Sequence, residues 1–344
     1  MKEMKKIFFV LGALALLAGC YPDYVMDYDD GAAVYSAYQY DLRTFVLGEK
    51  QSFDFTVALG GVIDNTMDRK VKVEPNPSLL SQDLSALVPD GGYDSFTAMD
   101  GLLGKAKFGN LSQAYVTKEV NAASISSLVE LPAAYYSVSG LDAMTIKKGR
   151  HTAAVTIKAD DAITADAKAF APYYALAFQI TSSPSTPIVA ENSFEVIVVK
   201  CENRLYGYWS HGGETVTYDA AGNEVSRNTY EMSNEDSRVY TLTTVDANTV
   251  MTNKVGKSSG KLYLKIEDDN TVTVSSADGK LDISPIDGKP STFNGEQLIQ
   301  KRRICLNYKY TKDSFTYVVN DVLEFRSRTR DGVLEYQDER TELY

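Results

Sequence analysis

Hydrophobic and polar residues alternate with a period of two along much of this chain, which is the pattern of half-buried β-strands. In residues 52–59 the large apolar side chains fall on every second position. Further runs of this kind are 70–73, 144–147, 153–157, 173–180 and 194–199. The turn-forming pair at 148–149 predicts a hairpin between the runs at 144–147 and 153–157. Short strands at regular spacing predict an antiparallel β-sandwich over residues 32–202.

The sandwich pattern is interrupted by an insertion at about residues 77–128. Asn76 followed by Pro77 is typical of a helix start, because Asn caps a helix and Pro suits its first position. Four leucines between residues 79 and 87 are spaced to cover one face of such a helix. We therefore expect loops and short helices on the rim of the sandwich. Loops of this kind often carry binding function, and a functionally inert insertion is the equal alternative.

The composition changes near residues 201–204, and eight short strand-like runs follow. These are 215–218, 238–244, 249–253, 261–266, 271–274, 305–310, 314–319 and 323–328. Turn signals separate them, for example Asp-Asp-Asn at 268–270. The pattern predicts a C-terminal antiparallel β domain over residues 203–344, either a barrel or a compact sandwich, and an all-β protein as a whole. A closed barrel would leave no exposed strand edges, but periodicity alone does not decide between the two.

The first twenty residues predict that the protein is exported and attached to a membrane. Three lysines precede an apolar run at residues 7–17, which is too short to span a bilayer. The run ends in Leu-Ala-Gly-Cys, which resembles the lipobox of bacterial lipoproteins, where the cysteine is acylated and becomes the new N-terminus. We therefore interpret residues 1–19 as a signal peptide and Cys20 as the lipid attachment site. An ordinary signal peptide with an incidental cysteine is the alternative.

The charge of the chain excludes some partners. The net charge is −11, and removal of residues 1–19 takes away three Lys and one Glu, so the mature chain carries −13. Such an acidic chain has no general attraction for phosphate backbones, so we expect no nucleic-acid partner. Residues 20–31 contain four aspartates and form a predicted acidic tether. This stretch is similar to the surface-export signal of Bacteroidota-type lipoproteins, whereas a spacer facing the periplasm is the alternative.

Several motifs support a wider resemblance. They are Phe-Val-Leu-Gly-Glu at 45–49, Val-Ala-Leu-Gly-Gly at 57–61, Asp-Arg at 68–69, Pro-Ser-Leu-Leu at 77–80, Leu-Pro at 131–132, Tyr-Tyr-Ser at 135–137, Ile-Lys-Lys-Gly at 146–149, Asn-Tyr-Lys-Tyr at 307–310 and residues 326–332. With these motifs the chain resembles Bacteroidota surface lipoproteins of Sus-like (starch-utilisation-system-like) polysaccharide loci. Those proteins have an N-terminal domain of unknown function and a small C-terminal β domain. The resemblance skips much of residues 81–130.

This resemblance implies an immunoglobulin-like sandwich in the N-terminal part. It also implies a lipid-anchored protein on the outer membrane, exposed at the cell surface and touching the membrane through its lipid alone. A glycan ligand and the neighbouring Sus-like transporter complex are the partners it implies. The motifs look structural, so they indicate fold and setting more directly than a binding site.

No motif in the sequence indicates catalysis. The chain lacks a His-Glu-x-x-His site, and two histidines far apart in sequence do not form a triad. Glu195 and Glu202 flank a predicted strand and are expected to face solvent. The acidic pairs at 160–161 and 267–270 lack the spacing of a calcium loop and are better interpreted as turns. We therefore expect no enzyme activity, no metal site and no cofactor.

The densest candidate for ligand binding is Tyr-Gly-Tyr-Trp-Ser-His-Gly-Gly at residues 206–213. Aromatic rings cover the apolar faces of sugars, and nearby polar groups take the hydroxyls. Tyr206, Tyr208, Trp209 and His211 are therefore the predicted glycan-binding residues. In the alternative, members of this run plug the bottom of the barrel or the domain junction.

These observations together predict an accessory glycan-binding lipoprotein of a polysaccharide-utilisation system, anchored at the surface and without catalysis. An adhesin-like or structural lipoprotein that binds protein partners is the rival hypothesis. Of the remaining cysteines, Cys201 and Cys305 could form one disulfide in an oxidising compartment. Because they fall in different predicted domains, we expect two buried free thiols instead.

Overall fold

The computed structural model describes residues 31–81, 108–233 and 239–336. The predicted signal peptide, Cys20 and all but the last residue of the predicted tether lie outside these ranges. The described chain is all-β, so the predicted fold class is confirmed. Residues 33–203 build two facing sheets, and residues 207–336 build one large sheet.

Ten strands of the described residues form the two facing sheets. In chain order they are β1 (Ala33–Ser36), β2 (Tyr40–Leu47), β3 (Ser52–Gly60), β4 (Arg69–Pro75), β5 (Val129–Glu130), β6 (Tyr136–Ser137), β7 (Met144–Ile146), β8 (Thr152–Ala159), β9 (Tyr174–Ser182) and β10 (Phe194–Asn203). One sheet has the order β1-β3-β8-β6, and the other has the order β2-β10-β9-β4-β7 with β5 beside β9. The β2–β10 and β5–β9 pairs are parallel.

Aromatic side chains fill the space between these two sheets. Phe45 of β2 stacks on Phe53 of β3 with ring centroids 5.1 Å apart. Phe55 of β3 packs on Phe178 of β9 at 5.0 Å. A strand turns successive side chains to opposite faces, so every second residue of β3 reaches this core. Burial of each such ring contributes about 1.5–3 kcal/mol, so the alternation seen in the sequence is also what stabilises the sandwich.

The predicted hairpin around Gly149 is wrong. Strand β7 pairs with β4 in one sheet, whereas β8 pairs with β3 in the other, so the chain crosses between the sheets here. Gly149 has a φ of 76°, in the left-handed region that favours glycine, and its N–H donates to Asn65 O at 2.8 Å. Both strands bury alternate residues in the same core. Their pattern therefore specified a buried face but not a pairing partner.

The helix in the described part of the insertion lies on a sheet face, so the expectation of a rim position is wrong for it. Helix α1 (Phe108–Ala122) packs Tyr115, Val116 and Val120 against the outer face of the β2–β10–β9 sheet. The helix predicted at Pro77 is a five-residue 3₁₀ turn (Pro77–Ser81), and the leucines beyond residue 81 lie outside the described residues. Because α1 covers this face, β2 and β10 are buried on both sides. Other 3₁₀ turns are Ala133–Tyr135, Leu141–Ala143, Asp161–Ala165, Ala167–Phe170, Ala190–Asn192 and Ile299–Lys301.

The C-terminal sheet is a nearly closed barrel, which decides the question that periodicity left open. Its strands and the small β15–β16 ribbon are β11 (Gly207–Tyr218), β12 (Glu224–Ser233), β13 (Tyr240–Thr244), β14 (Thr249–Thr252), β15 (Lys254–Val255), β16 (Ser258–Ser259), β17 (Leu262–Ile266), β18 (Val272–Ser276), β19 (Asp282–Pro285), β20 (Thr292–Phe293), β21 (Arg303–Lys312), β22 (Phe315–Arg330) and β23 (Val333–Tyr336). The main order is β18-β17-β14-β13-β11-β22-β21-β19, with β12, β20 and β23 beside β11, β21 and β22. A bridge joins Thr271, which precedes β18, to Thr292 of β20, so the β18 end of this path meets the strand beside β21.

A buried ion cluster joins the sandwich to the barrel. Glu49, in the turn between β2 and β3, accepts from Arg302 at 2.6 Å and from Arg328 at 2.7 and 3.0 Å. The side chains of Arg302 and Arg328 are 0% and 3% exposed. Arg328 also donates to Glu335 at 2.6 Å. We call Glu49, Arg302, Arg328 and Glu335 the junction cluster. It holds the β2–β3 turn against the barrel wall.

Candidate functional site

Strand β11 divides the aromatic residues that the sequence grouped as one glycan platform. The side chain of Tyr208 is 41% exposed, whereas Trp209 is 0% and His211 is 1% exposed. Neighbouring residues of a strand face opposite sides, so Trp209 and His211 share the barrel interior while Tyr208 lies on its outer face. Tyr206 precedes the strand and is half-buried. Trp209 and His211 cannot stack on or bind a glycan from inside the barrel, so the prediction is wrong for both.

Trp209 is a core residue of the barrel, which agrees with the alternative stated for it. Its Nε1 donates to Leu205 O at 3.0 Å. Its ring packs edge-on against Phe325 of β22 with centroids 5.6 Å apart. A buried tryptophan needs such a partner for its N–H, and this backbone carbonyl provides it.

His211 belongs to a buried polar cluster around Asp321 of β22. Tyr230 and Tyr240 both donate their hydroxyls to the Asp321 carboxylate, the second at 3.1 Å. His211 packs between the two tyrosine rings at 4.8 and 4.6 Å, and its Nε2 lies 3.2 Å from Asp321 Oδ1 outside hydrogen-bond geometry. Burial, with the Asp321 carboxylate, raises the pKa of Tyr230 far above its usual range. The cluster is enclosed, so it acts as a polar support of the barrel core.

Tyr208 lines an open cleft of about 390 Å³ on the outer face of the barrel. Its described lining residues are Tyr208, Val239, Thr241, Asn253, Arg326 and Ser327. We call it the Tyr208 cleft. In the sheet, Tyr208 lies between Thr241 of β13 and Ser327 of β22. Three neighbouring strands thus place one aromatic ring among hydroxyl, amide and guanidinium groups.

A β-bulge in β22 forms one side of the Tyr208 cleft. Tyr208 pairs with Ser327, but the next residue, Trp209, pairs with Phe325. Arg326 is therefore an extra residue opposite β11, as in other β-bulges. Bulges re-aim side chains, and this one places Arg326 and Ser327 together in the cleft lining.

The same bulge shifts the burial pattern of β22. Phe325 is buried, the next two residues are partly exposed, and Arg328 is buried again at 2% exposure. Without the extra residue, a strict period of two would place Arg328 on the outer face. The bulge therefore links two features, because it lines the cleft and also turns Arg328 towards Glu49 in the junction cluster.

The polar rim of the Tyr208 cleft is held in place by Asn253 and Thr241. Asn253 Oδ1 accepts from Thr241 N at 2.9 Å, and its Nδ2 donates to Thr241 Oγ1 at 3.4 Å. An amide side chain has two donor hydrogens and two lone pairs on its oxygen, so each end of Asn253 can make a second bond. Sequence reasoning missed Thr241, Asn253 and the bulge residues, because these converge only through strand pairing. The one sequence signal for the bulge is that the alternation of apolar and polar residues in this strand stops after Phe325.

A second cleft, of about 280 Å³, lies where the sandwich meets the barrel. Its described lining residues are Leu47, Gly48, Gln51, Asp161, Thr164, Asn203, Arg204, Ala247, Asn248, Ile266, Glu267, Asp268 and Asn270. It brings together the two acidic turns noted in the sequence. Within the described residues, no group of three or more His, Cys, Asp or Glu side chains is arranged to hold a metal ion. The described lining of this cleft also has no aromatic ring, so the Tyr208 cleft is the better candidate for sugar binding.

The expectation that Glu195 and Glu202 face solvent is wrong. They are 6% and 3% exposed, because the facing sheet covers one face of β10 and α1 covers the other. Glu195 accepts from Ser36 Oγ at 2.6 Å, and burial raises its pKa to about 8. Glu202 is paired with Lys200 Nζ at 2.9 Å, and burial raises its pKa as well. Neither carboxylate lies in the described lining of a cleft.

Cys201 and Cys305 are free thiols, as expected. Cys201 is buried in the sandwich core, and this burial raises its pKa to about 12. Cys305 is only partly buried, so the expectation of full burial holds for Cys201 alone.

Comparison with known proteins supports the predicted lipid attachment and the fold. Residues 4–20 match the model of the prokaryotic membrane lipoprotein lipid attachment site, which confirms the predicted site ending at Cys20. The chain is therefore a lipid-anchored membrane protein. Within the described residues, no helix has the length and apolar character needed to cross a membrane. No curated protein matches the chain.

Three solved structures that are similar to this chain come from Bacteroides. A protein of unknown function from Bacteroides ovatus has a TM-score of 0.63 and 20% identity, with 90% of this chain and 98% of that chain covered. A multidomain protein including DUF1735 from the same organism has a TM-score of 0.38 and 11% identity, with 92% and 96% covered. An auxiliary nutrient binding protein from Bacteroides thetaiotaomicron has a TM-score of 0.39 and 13% identity, with 82% and 90% covered. At these identities the likeness concerns the fold alone.

Proposed function

We propose that this protein is an accessory glycan-binding lipoprotein of a Sus-like polysaccharide-utilisation system. It is held by its lipid on the outer membrane, faces the cell exterior and delivers glycan to a neighbouring transporter complex. The lipid attachment signal supports the anchoring. The acidic stretch after Cys20 and the motif resemblance support the surface position and the transporter setting.

The Tyr208 cleft is the observation that carries the binding proposal. A sugar ring presents an apolar C–H face surrounded by hydroxyls, so it needs a flat apolar surface with polar groups at its edge. Tyr208 offers such a ring at 41% exposure. Thr241, Asn253 and Ser327 offer hydroxyl and amide groups around it. A shallow site with one ring binds weakly, and several copies on one cell surface would raise the avidity.

We propose binding without catalysis at this site. Glycoside hydrolysis needs two carboxyl groups about 5–10 Å apart on either side of the bond. The described lining of the Tyr208 cleft contains no carboxylate. Within the described lining, a bound glycan would meet groups that hold and orient it, but no acid and base pair.

A glycan array with the acylated full-length chain in detergent micelles tests this proposal. Tyr208→Ala should lower the affinity for any glycan that binds by at least about tenfold, or about 1.4 kcal/mol, because the stacking surface is lost. Tyr208→Phe keeps the ring and should retain binding. Tyr263→Ala is the matched control, since Tyr263 is a partly exposed tyrosine on β17 outside the described cleft lining.

Binding that is unchanged in Tyr208→Ala would place the glycan site elsewhere on the chain. Absence of binding to every glycan class, with the wild-type chain folded by circular dichroism, would contradict the proposed function. The rival hypothesis of an adhesin-like lipoprotein with protein partners would then be tested by cross-linking on intact cells.

A further inference from the structure

The Tyr208 cleft has a charge that a site for neutral sugars does not need. Arg326 is the one charged residue in its described lining, on a chain whose net charge is −11. The β-bulge places Arg326 on the strand next to Tyr208, and both residues line the cleft. Arg326 takes part in an interaction within the chain. A guanidinium has five N–H donors, so it can hold a ligand group in addition.

Local charge decides what such a cleft attracts. At physiological ionic strength, charges further apart than about 8 Å are largely screened. Within the described lining of the cleft, no carboxylate opposes this cation. Carboxylates and sulfates accept two parallel hydrogen bonds from a guanidinium, and such charge-assisted bonds are stronger than those of neutral groups.

We infer that the Tyr208 cleft selects anionic sugars, with Arg326 binding a carboxylate or sulfate group on a ring that stacks on Tyr208. This inference rests on the proposed function and names its ligand class. Hydroxyls of the same sugar would meet Asn253 and Ser327. The shared ligand chemistry is a planar or tetrahedral oxyanion attached to a pyranose.

Calorimetric titration of the acylated full-length chain in detergent micelles tests this inference. The probes are a galacturonic acid trimer with its neutral methyl ester, and a sulfated galactose oligosaccharide with its unsulfated counterpart. The acid or the sulfated probe should bind at least about tenfold more tightly than its neutral counterpart at low salt. The preferred probe also tells which oxyanion the cleft takes. The preference should shrink as NaCl is raised to about 0.5 M, because salt screens the exposed charge.

Variants separate the charge from the ring. Arg326→Gln should bring the anionic probe down to the affinity of its neutral counterpart. Arg326→Lys keeps the charge but loses the two-pronged geometry, so an intermediate preference is expected. Arg303→Gln removes the same charge from an exposed position on β21 outside the described cleft lining, and it should change nothing.

The outcomes distinguish this inference from the function on which it rests. Equal binding of charged and neutral probes, lost in Tyr208→Ala, would overturn the anion preference and leave glycan binding in place. An equal loss in Arg326→Gln and Arg303→Gln would also overturn it, because the effect would then be the general charge of the chain. No binding of any probe or of any arrayed glycan would overturn both.

Discussion

Removal of the negative charge at Glu49 should destabilise the protein by about 3 kcal/mol. Loss of one partner from a buried ion pair costs about 3–5 kcal/mol, because the remaining charge is left without compensation. In Glu49→Gln, two buried arginines lose their shared carboxylate. Arg302 keeps bonds to three backbone carbonyls, at 2.7, 2.8 and 3.1 Å, and Arg328 keeps Glu335. These remaining acceptors place the expected loss at the lower end of the range.

Urea unfolding at pH 7 measures this loss. Trp209 is the chain's one tryptophan and lies in the barrel core, so its fluorescence reports the barrel, while far-ultraviolet circular dichroism reports the whole chain. In Glu49→Gln the two signals should separate, because the contact that couples barrel and sandwich is weakened. The control is Glu224→Gln, since Glu224 pairs with Arg227 at the surface with 42% and 46% side-chain exposure, where solvent screens the pair, so its loss should change the stability little. A loss in Glu49→Gln no larger than in this control would refute the reasoning.

The pH dependence gives the same test a second readout. Burial alone would raise the pKa of Glu49, but hydrogen bonds and charges from Arg328 and Arg302 hold it below its ordinary value of 4.5. A carboxylate with a lowered folded-state pKa stabilises the protein fully above its unfolded pKa, and this contribution is lost as pH falls through the folded value. Wild type should therefore lose more stability than Glu49→Gln between about pH 5 and pH 3. Parallel losses in the two proteins would contradict the assigned role of Glu49.

Three further outcomes follow from the described side chains. Glu195 has a pKa of about 8 in the folded protein, whereas the unfolded chain releases this proton above about pH 4.5. Between these two pH values the folded protein must keep a proton that the unfolded chain has lost, so Glu195 lowers the free energy of unfolding more and more as pH rises. Glu195→Gln should therefore raise the free energy of unfolding by about 3 kcal/mol at pH 7 and change it little at pH 4, measured by urea titration. Gly213→Ala should lower the melting temperature strongly, since its Cβ would lie 2.3 Å from Asn320 O; an unchanged melt would refute that packing. A maleimide reagent should label the partly exposed Cys305 before Cys201, whose burial raises the pKa to about 12, and equal labelling rates in mass spectrometry would contradict this.

Strand prediction found most strands with a buried face, although it missed β1 and β2, and it did not find one strand whose side chains are mostly exposed. The alternation in residues 52–59 is β3, and the run at 261–266 overlaps β17 (Leu262–Ile266). Strand β12 (Glu224–Ser233) was not predicted, because its side chains up to Met232 are exposed apart from Tyr230. It forms through backbone hydrogen bonds to β11, and such bonds do not depend on the pattern of hydrophobic side chains.

The candidate site that we propose shares only Tyr208 with the glycan-binding residues predicted from the sequence. Aromatic density pointed to residues 206–211, yet only the face of the strand decides which ring meets solvent. Tyr208 meets solvent, while Trp209 and His211 pack in the barrel. Arg326 joins Tyr208 from more than a hundred residues away, through a bulge that depends on the register between β11 and β22.

The sequence by itself determined the lipid attachment signal, the all-β class and the buried face of most strands, because each depends on residues close together along the chain. The tertiary structure alone decided that β7 and β8 belong to different sheets, that α1 covers a sheet face, and that the C-terminal strands nearly close a barrel. It also decided which residues meet in the Tyr208 cleft and in the junction cluster. A period of two states that a side chain is buried, but strand pairing, register and bulges depend on distant residues, and these set which side chains meet.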